Sequence, residues 1–416
     1  MSLFLYGGLA LCLFFPRFIF ANFAYVANSA DGTVSVIDTD DNTVVGSPIA
    51  VGTSPFAIAI TPDGAYAYVT NTGSDSVSVI EVGADVVVDT ILVGDEPLGI
   101  AITPDGDFAY VANLADNTVS VIRTSDNTVV DEVSVTAGPA GVAMTPNGEY
   151  VYVTIGFDNA ITRIRTSDNT VVPPTISVLG DPEFIAVAPD GAHVYSSGGA
   201  RVFVIRTSDN TVTATLTLGF ALRSLLVTPD GEYLYVAHVG DDPDPPVSSV
   251  FQVSTADNTT VDTIFVDGWR PYGVAITSDG AYLYVTDSLN GLVRVFDTAD
   301  NSPEASIDVG NTPRGIAITP SSMTPLLPPT NLRGGQKKND IAIEYSLFNE
   351  LFWTASASPE VVGYFVYRGG LRIATLNSST LQYRDPSIQR GVLTQYSVTA
   401  FDVDSAESLA ASLQIP

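Results

Sequence analysis

From Asn22 onward the chain alternates short apolar runs with compact polar turns, and the alternation never takes on helical period. Residues 97–135 show the unit, reading PLGIAITPDG, DFAYVANLADN, TVSVIRTSDN and TVVDEVSV. Four β-rich runs are separated by three turn signals, which predicts four short strands. Pro104-Asp105-Gly106 supplies a fixed φ, a turn-forming Asp and a residue free to take positive φ. Ser125-Asp126-Asn127 does similar work between the third and fourth runs. The runs are apolar on both faces, as strands need to be when their sheet is sandwiched between two others.

The unit recurs. Copies of Y-V-x-N or a degenerate form begin at Tyr25, Tyr68, Tyr110, Tyr152, Tyr195, Tyr235 and Tyr284. Their spacings are 43, 42, 42, 43, 40 and 49 residues. A strand-only period of this length is that of a four-stranded propeller blade. The fold class predicted is therefore all-β, a seven-bladed β-propeller over residues 22–320. Its ends are complementary. The first copy, at Phe23, lacks a preceding G-I-A-I-T strand, and the last, Pro313 to Pro320, lacks a following Y-V-T-N strand. The N-terminus is expected to supply three strands of the last blade and residues 313–320 its innermost one, which removes open sheet edges.

The composite P-x-G-I-A-I-T-P-D-G…Y-V-T-N…V-S-V-I-D-T…N-T-V-V resembles the YVTN propeller repeats of archaeal and bacterial surface-layer proteins. The resemblance covers about 300 of the 416 residues. It implies secretion or surface display, and it carries over no universal catalytic residue.

The repeat stops at a Pro-rich stretch, residues 321–329, which reads as a linker. Residues 330–416 then predict a small β-sandwich, with strand-like runs at 350–353, 361–368, 372–376 and 395–401. An early Trp353, a Gly-Tyr-x-Val-Tyr run and a late Tyr396-x-Val-x-Ala are similar to fibronectin type III domains, with Trp353 as the core tryptophan.

Composition narrows the partners. There are 46 acidic against 17 basic residues, a formal net charge of −29, which excludes a nucleic-acid surface. The one cysteine, Cys12, lies in the N-terminal apolar run, so no disulfide or Cys-type zinc cluster is expected. Residues 1–21 read as a signal peptide with cleavage near Ala21 or Ala24, an uncleaved anchor being the alternative. No other segment could span a membrane. A secreted, periplasmic or cell-surface location follows.

No motif carries chemistry unaided. P-loop, G-x-S-x-G, H-E-x-x-H, C-x-x-C-H and EF-hand sequences are absent. No cofactor is implied. The non-repeated residues around the inner strands are the candidates for a site: Phe56, Asp95, Glu96, Glu183, Phe184, Arg223, Trp269, Arg270, Tyr272, Asn311 and Arg314. Arg223, Arg270 and Arg314 at a channel mouth could hold an anion or a carbonyl, with Trp269 and Tyr272 as walls and Glu183 as the carboxylate. The bland alternative is that the arginines rim the channel and pair with Asp95, Glu96 and Glu183. Asp241, Asp242 and Asp244 are weak candidates for Ca²⁺. His238 is read as replacing the Asn of Y-V-x-N in a turn. The leading functional expectation is a binding or scaffold protein that recognises a protein, glycan or small ligand. The alternative is a lactonase-like propeller hydrolase acting in the central funnel, for which Glu183, Asp95, Glu96 or His238 could serve as acid or base.

Overall fold

The computed structural model describes residues 22–219, 221–240, 248–266, 268–320, 330–338, 347–355, 363–369, 371–385, 394–401 and 411–415. Every regular element among them is a β-strand. The chain divides into two compact units, Met1–Ser322 and Met323–Pro416.

The first unit is a seven-bladed β-propeller. The inner strands of blades I to VI are Pro55–Ile60, Pro97–Ile102, Pro139–Met144, Pro182–Val187, Leu222–Val227 and Pro271–Ile276. Each is followed in chain order by the remaining strands of its own antiparallel sheet. In blade III the outer strand is split into Thr170–Val171 and Ile176–Ser177, which both pair with Ala160–Arg165. Blade VII joins the two ends of the unit: Pro313–Ile318 pairs with Phe23–Asn28, aligning Ile318 with Ala24 and Ile316 with Val26. Neighbouring inner strands touch in a closed ring, the one at 313–318 lying against the one at 55–60.

The core sits between blades. Tyr110, Val119 and Val121 of blade II pack on Val142, Val151 and Val153 of blade III, and the other interfaces repeat the arrangement. The repeat's tyrosine adds a polar fastening at its buried end. Tyr68 Oη donates to Asn127 Oδ1 of the next blade at 2.7 Å, Tyr110 to Asn169 at 2.7 Å, and Tyr152 to Asn210 at 2.8 Å. Tyr235 and Tyr284 reach Asn301 and Asn42 in the same way, and Tyr25 reaches Asp85. These acceptors occupy turns with φ near +55°, such as 55° at Asn127 and 53° at Asn169, a conformation Asn tolerates better than most residues. The fourth blade breaks the series: among the described residues Tyr195 makes no such bond, and the equivalent Asn258 Oδ1 is buried without a partner.

His238 takes the Asn position of blade V, where its Nδ1 lies 3.1 Å from Ser249 Oγ. Its ring also packs against Phe251 of the next strand, at 5.4 Å.

The second unit is a sandwich of two sheets. Thr330–Lys338, Leu347–Thr354 and Gln382–Asp385 form one; Leu371–Asn377, Gly363–Arg368, Thr394–Phe401 and Ala411–Ile415 form the other. The 330–338, 382–385 and 411–415 strands were not expected from the sequence. The first of them, TNLRGGQKK, is polar and lacks alternation, so only its partner strand identifies it. Trp353 is 5% exposed among Leu351, Tyr364, Val366, Tyr396 and Val398. A buried polar knot crosses this core. Tyr396 Oη donates to Asp385 at 2.6 Å, and Arg368 pairs with Asp385 at 2.9 Å.

Candidate functional site

Every inner strand carries a β-bulge at its start. In blade III, Pro139 pairs with Ile155 and Val142 with Val153, so Ala140 and Gly141 share the single partner Thr154. The same two-for-one register occurs in blades I, II, V and VI. Bulges re-aim side chains, and here the second residue of each inner strand is the one released.

The threonine of Y-V-T-N locks the bulge. Thr154 Oγ1 accepts from Gly141 N at 2.6 Å and donates to the carbonyl oxygen of Glu183, in the next blade, at 3.2 Å. Thr70 likewise holds Ala57 N and Leu98 O, and Thr286 holds Gly273 N and Arg314 O. The glycine of P-x-G follows from the same crowding. A Cβ on Gly141 would collide with the Glu183 carbonyl, and one on Gly273 with that of Arg314.

The seven released residues form a ring at the channel mouth, in the order Phe56, Leu98, Ala140, Glu183, Arg223, Tyr272 and Arg314. Blades IV to VII contribute a polar arc and blades I to III an apolar one. Arg223 Nη1 pairs with Glu183 Oε2 at 3.2 Å. The Arg223 and Arg314 guanidiniums lie 5.6 and 5.2 Å from the Tyr272 ring centroid, within cation–π range. Tyr272 also meets Phe56 and Phe184 edge-to-face, at 5.9 and 5.8 Å. Since those two residues lie two blades away on opposite sides, the Tyr272 ring leans across the mouth. Beneath it lies a cavity of about 150 Å³ to which all seven inner strands contribute.

The electrostatics suit acid–base work. Burial pushes the Glu183 carboxyl above its ordinary value, and the Arg223 charge opposes that shift. Burial likewise pushes the Tyr272 hydroxyl up to about 12. Nε of both Arg223 and Arg314 is buried without a hydrogen-bond partner. Arg314 has no carboxylate partner among the described residues. Two guanidiniums against one carboxylate make the mouth locally cationic on a chain of net charge −29.

Of the residues singled out from the sequence, Glu183, Arg223, Tyr272, Arg314, Phe56 and Phe184 come together here. Trp269 and Arg270 do not. They precede Pro271, so they lie in the connection between blades and outside the bulge that aims residues at the axis. Trp269 stacks on Arg294 at 4.2 Å and packs on Phe296 at 6.2 Å, within the interface of blades V and VI. The exposed Arg270 holds Asp287 through its backbone N–H, at 3.1 Å. Asp95 and Glu96 are exposed in an equivalent connection and pair with no arginine among the described residues. Asn311 is held by Asp31, its Nδ2 donating at 2.9 Å. Asp241, Asp242 and Asp244 lie outside the described residues. Among the described residues no cluster of three or more His, Cys, Asp or Glu side chains could hold a metal ion.

The sequence reading missed Leu98 and Ala140, and the threonine clamps behind the ring. The signal was present, because all seven ring residues stand at one offset in the repeat, directly after the residue that opens the inner strand.

A family model described as lactonase, seven-bladed β-propeller, matches residues 16–130. No curated protein matches the chain. Among solved structures, two proposed 6-phosphogluconolactonases are similar. The Bacteroides uniformis protein has a TM-score of 0.62 at 17% identity, over 72% of this chain and 99% of its own. That of Bacteroides fragilis has a TM-score of 0.61 at 16% identity, over 73% and 99%. Kuenenia stuttgartiensis hydrazine synthase is similar at a TM-score of 0.59 and 23% identity, over 65% and 92%. At these identities the likeness is one of fold.

Proposed function

We propose that this chain is a lactonase-like hydrolase working at the channel mouth of its propeller. The observation that carries the reading is the Glu183–Arg223–Tyr272–Arg314 arc, in which a carboxylate of raised pKa shares the mouth with two guanidiniums, that of Arg314 forming no salt bridge among the described residues. The partial match to a lactonase family model supports the same reading. It replaces the non-catalytic recognition disc as the leading account.

In this reading Arg314 receives the carbonyl oxygen of a lactone, where its guanidinium charge suits a developing oxyanion. Glu183 takes a proton from water as the water oxygen adds to the carbonyl carbon. The tetrahedral intermediate collapses with cleavage of the ring C–O bond, and Glu183 returns its proton to the departing alkoxide. The product is an open-chain hydroxy acid, which leaves as its carboxylate. Arg223 positions Glu183 and tempers its pKa, and Tyr272 walls the site.

Export rests on the apolar run of residues 1–21, which lie outside the described residues. The YVTN resemblance supports display at the cell surface. The second unit would act as a fibronectin type III-like spacer, supported by its buried Trp353.

Hydrolysis of five- and six-membered lactones, followed by pH-stat titration, tests the catalytic reading. Glu183→Gln should lower kcat by about 10²–10⁴. A wild-type protein that opens no lactone, or a Glu183→Gln variant of full activity, overturns it.

A further inference from the structure

We infer that the channel selects amphiphilic anions and esters, so that the substrates are lactones bearing a short alkyl or aryl substituent. The inference rests on the hydrolase reading for its substrate class, but its binding component stands apart from catalysis.

The ring is divided. Glu183, Arg223, Tyr272 and Arg314 occupy four consecutive blades, and Phe56, Leu98 and Ala140 the other three. A ligand whose carbonyl or carboxylate sits on the middle of the polar arc therefore has its opposite end against Leu98 and its neighbours Phe56 and Ala140. Below the ring the lining residues are apolar apart from Ser224. The fourth residue of every inner strand is Ile, Val or Leu, from Ile58 and Ile100 through Val142 to Ile316, and all of them line the cavity. At about 150 Å³ it has room for a substituent on the order of six carbons.

A polyhydroxylated ligand gains little from the side chains of the apolar arc. Its hydroxyls facing Phe56, Leu98 and Ala140 would meet no side-chain donor or acceptor, and stripping their water without replacement is unfavourable. An alkyl group removes its own surface from water and fills a void the protein already contains. The mouth thus prefers a ligand with one polar end and one short apolar end.

The test is a series of γ-butyrolactones with γ-substituents from methyl to octyl, run beside glucono-δ-lactone on the full chain. kcat/KM should rise by about fourfold per methylene and level off near six carbons. Ala140→Phe, which fills the apolar arc, should flatten the dependence. Leu98→Gln serves as the second variant should the first fail to fold. Glu183-dependent turnover that favours glucono-δ-lactone over the alkyl series would overturn the inference and leave the hydrolase reading standing. If no lactone is opened, the hydrolase reading fails, and calorimetry with butanoate, hexanoate and octanoate decides the rest. Affinity that tightens with chain length in the wild type and not in Ala140→Phe upholds the amphiphile site. Absence of binding, or affinity indifferent to length, overturns it.

Discussion

Thr286 Oγ1 donates a hydrogen bond of 2.9 Å to the carbonyl oxygen of Arg314, across the boundary between blades VI and VII. Thr286 Oγ1 also accepts from Gly273 N at 2.7 Å, so one hydroxyl fixes the Tyr272 bulge and the Arg314 backbone together. Thr286→Val keeps the shape and removes both bonds. It should cost about 1–3 kcal/mol, because Gly273 N–H is left buried and unpaired. It should also raise KM for any channel ligand, as two ring residues lose their anchor. Denaturant unfolding together with ligand titration checks the pair. Loss of stability with unchanged affinity would show that the clamp does not position the mouth.

The pH profile follows from Glu183. Its carboxyl is raised by burial, so the base form is lost as pH falls through a value above the ordinary carboxylate range. The acid limb of kcat/KM should accordingly lie above that range. Arg223 lowers this pKa, so Arg223→Gln should move the limb to still higher pH. A limb that shifts downward in Arg223→Gln would contradict the assignment of Glu183 as base.

The interblade tyrosines should be unequal. Tyr110→Phe deprives Asn169 Oδ1 of a 2.7 Å donor and should cost about 1 kcal/mol. Tyr195→Phe removes no equivalent bond and should cost distinctly less. Urea denaturation of the two variants measures the difference, and equal losses would mean that the fastening contributes nothing.

Closure of the ring should govern cooperativity. Pro313–Ile318 provides the innermost strand against Phe23–Asn28, and Thr319 and Phe23 exchange two further hydrogen bonds at 2.8 and 2.9 Å. A chain ending at Pro320 should unfold in one cooperative transition. One ending at Val309 exposes the edge of the 23–28 strand and should aggregate or unfold over a broad range. Matching transitions in the two truncations would refute this role.

Trp269 should matter for stability and not for the channel. Packed on Arg294 and Phe296, it borders an interface core. Trp269→Ala should cost about 3 kcal/mol and leave the KM of a channel substrate unchanged. Calorimetric unfolding and steady-state kinetics on one preparation separate the two effects.

The sequence by itself determined the architecture. The recurrence of Y-V-x-N, the turn residues and the absence of helical period specify strands, their number per blade and seven blades, because those features are local and are written seven times. The central charge cluster was legible in part: Glu183, Arg223, Tyr272 and Arg314 stand out as departures from a repeat that otherwise holds Leu, Ala or Phe at that position. What the tertiary structure decided is which departures face the axis. Trp269 and Arg270 lie only two or three residues from Tyr272, yet the bulge after Pro271 sends Tyr272 over the mouth and leaves the other two outside. A bulge is a property of the register between two strands, and the hydroxyl that locks it comes from the partner strand, 13 residues away. Likewise the division of the ring into polar and apolar arcs exists only once blade VII has closed against blade I, since Arg314 and Phe56 are neighbours in space alone.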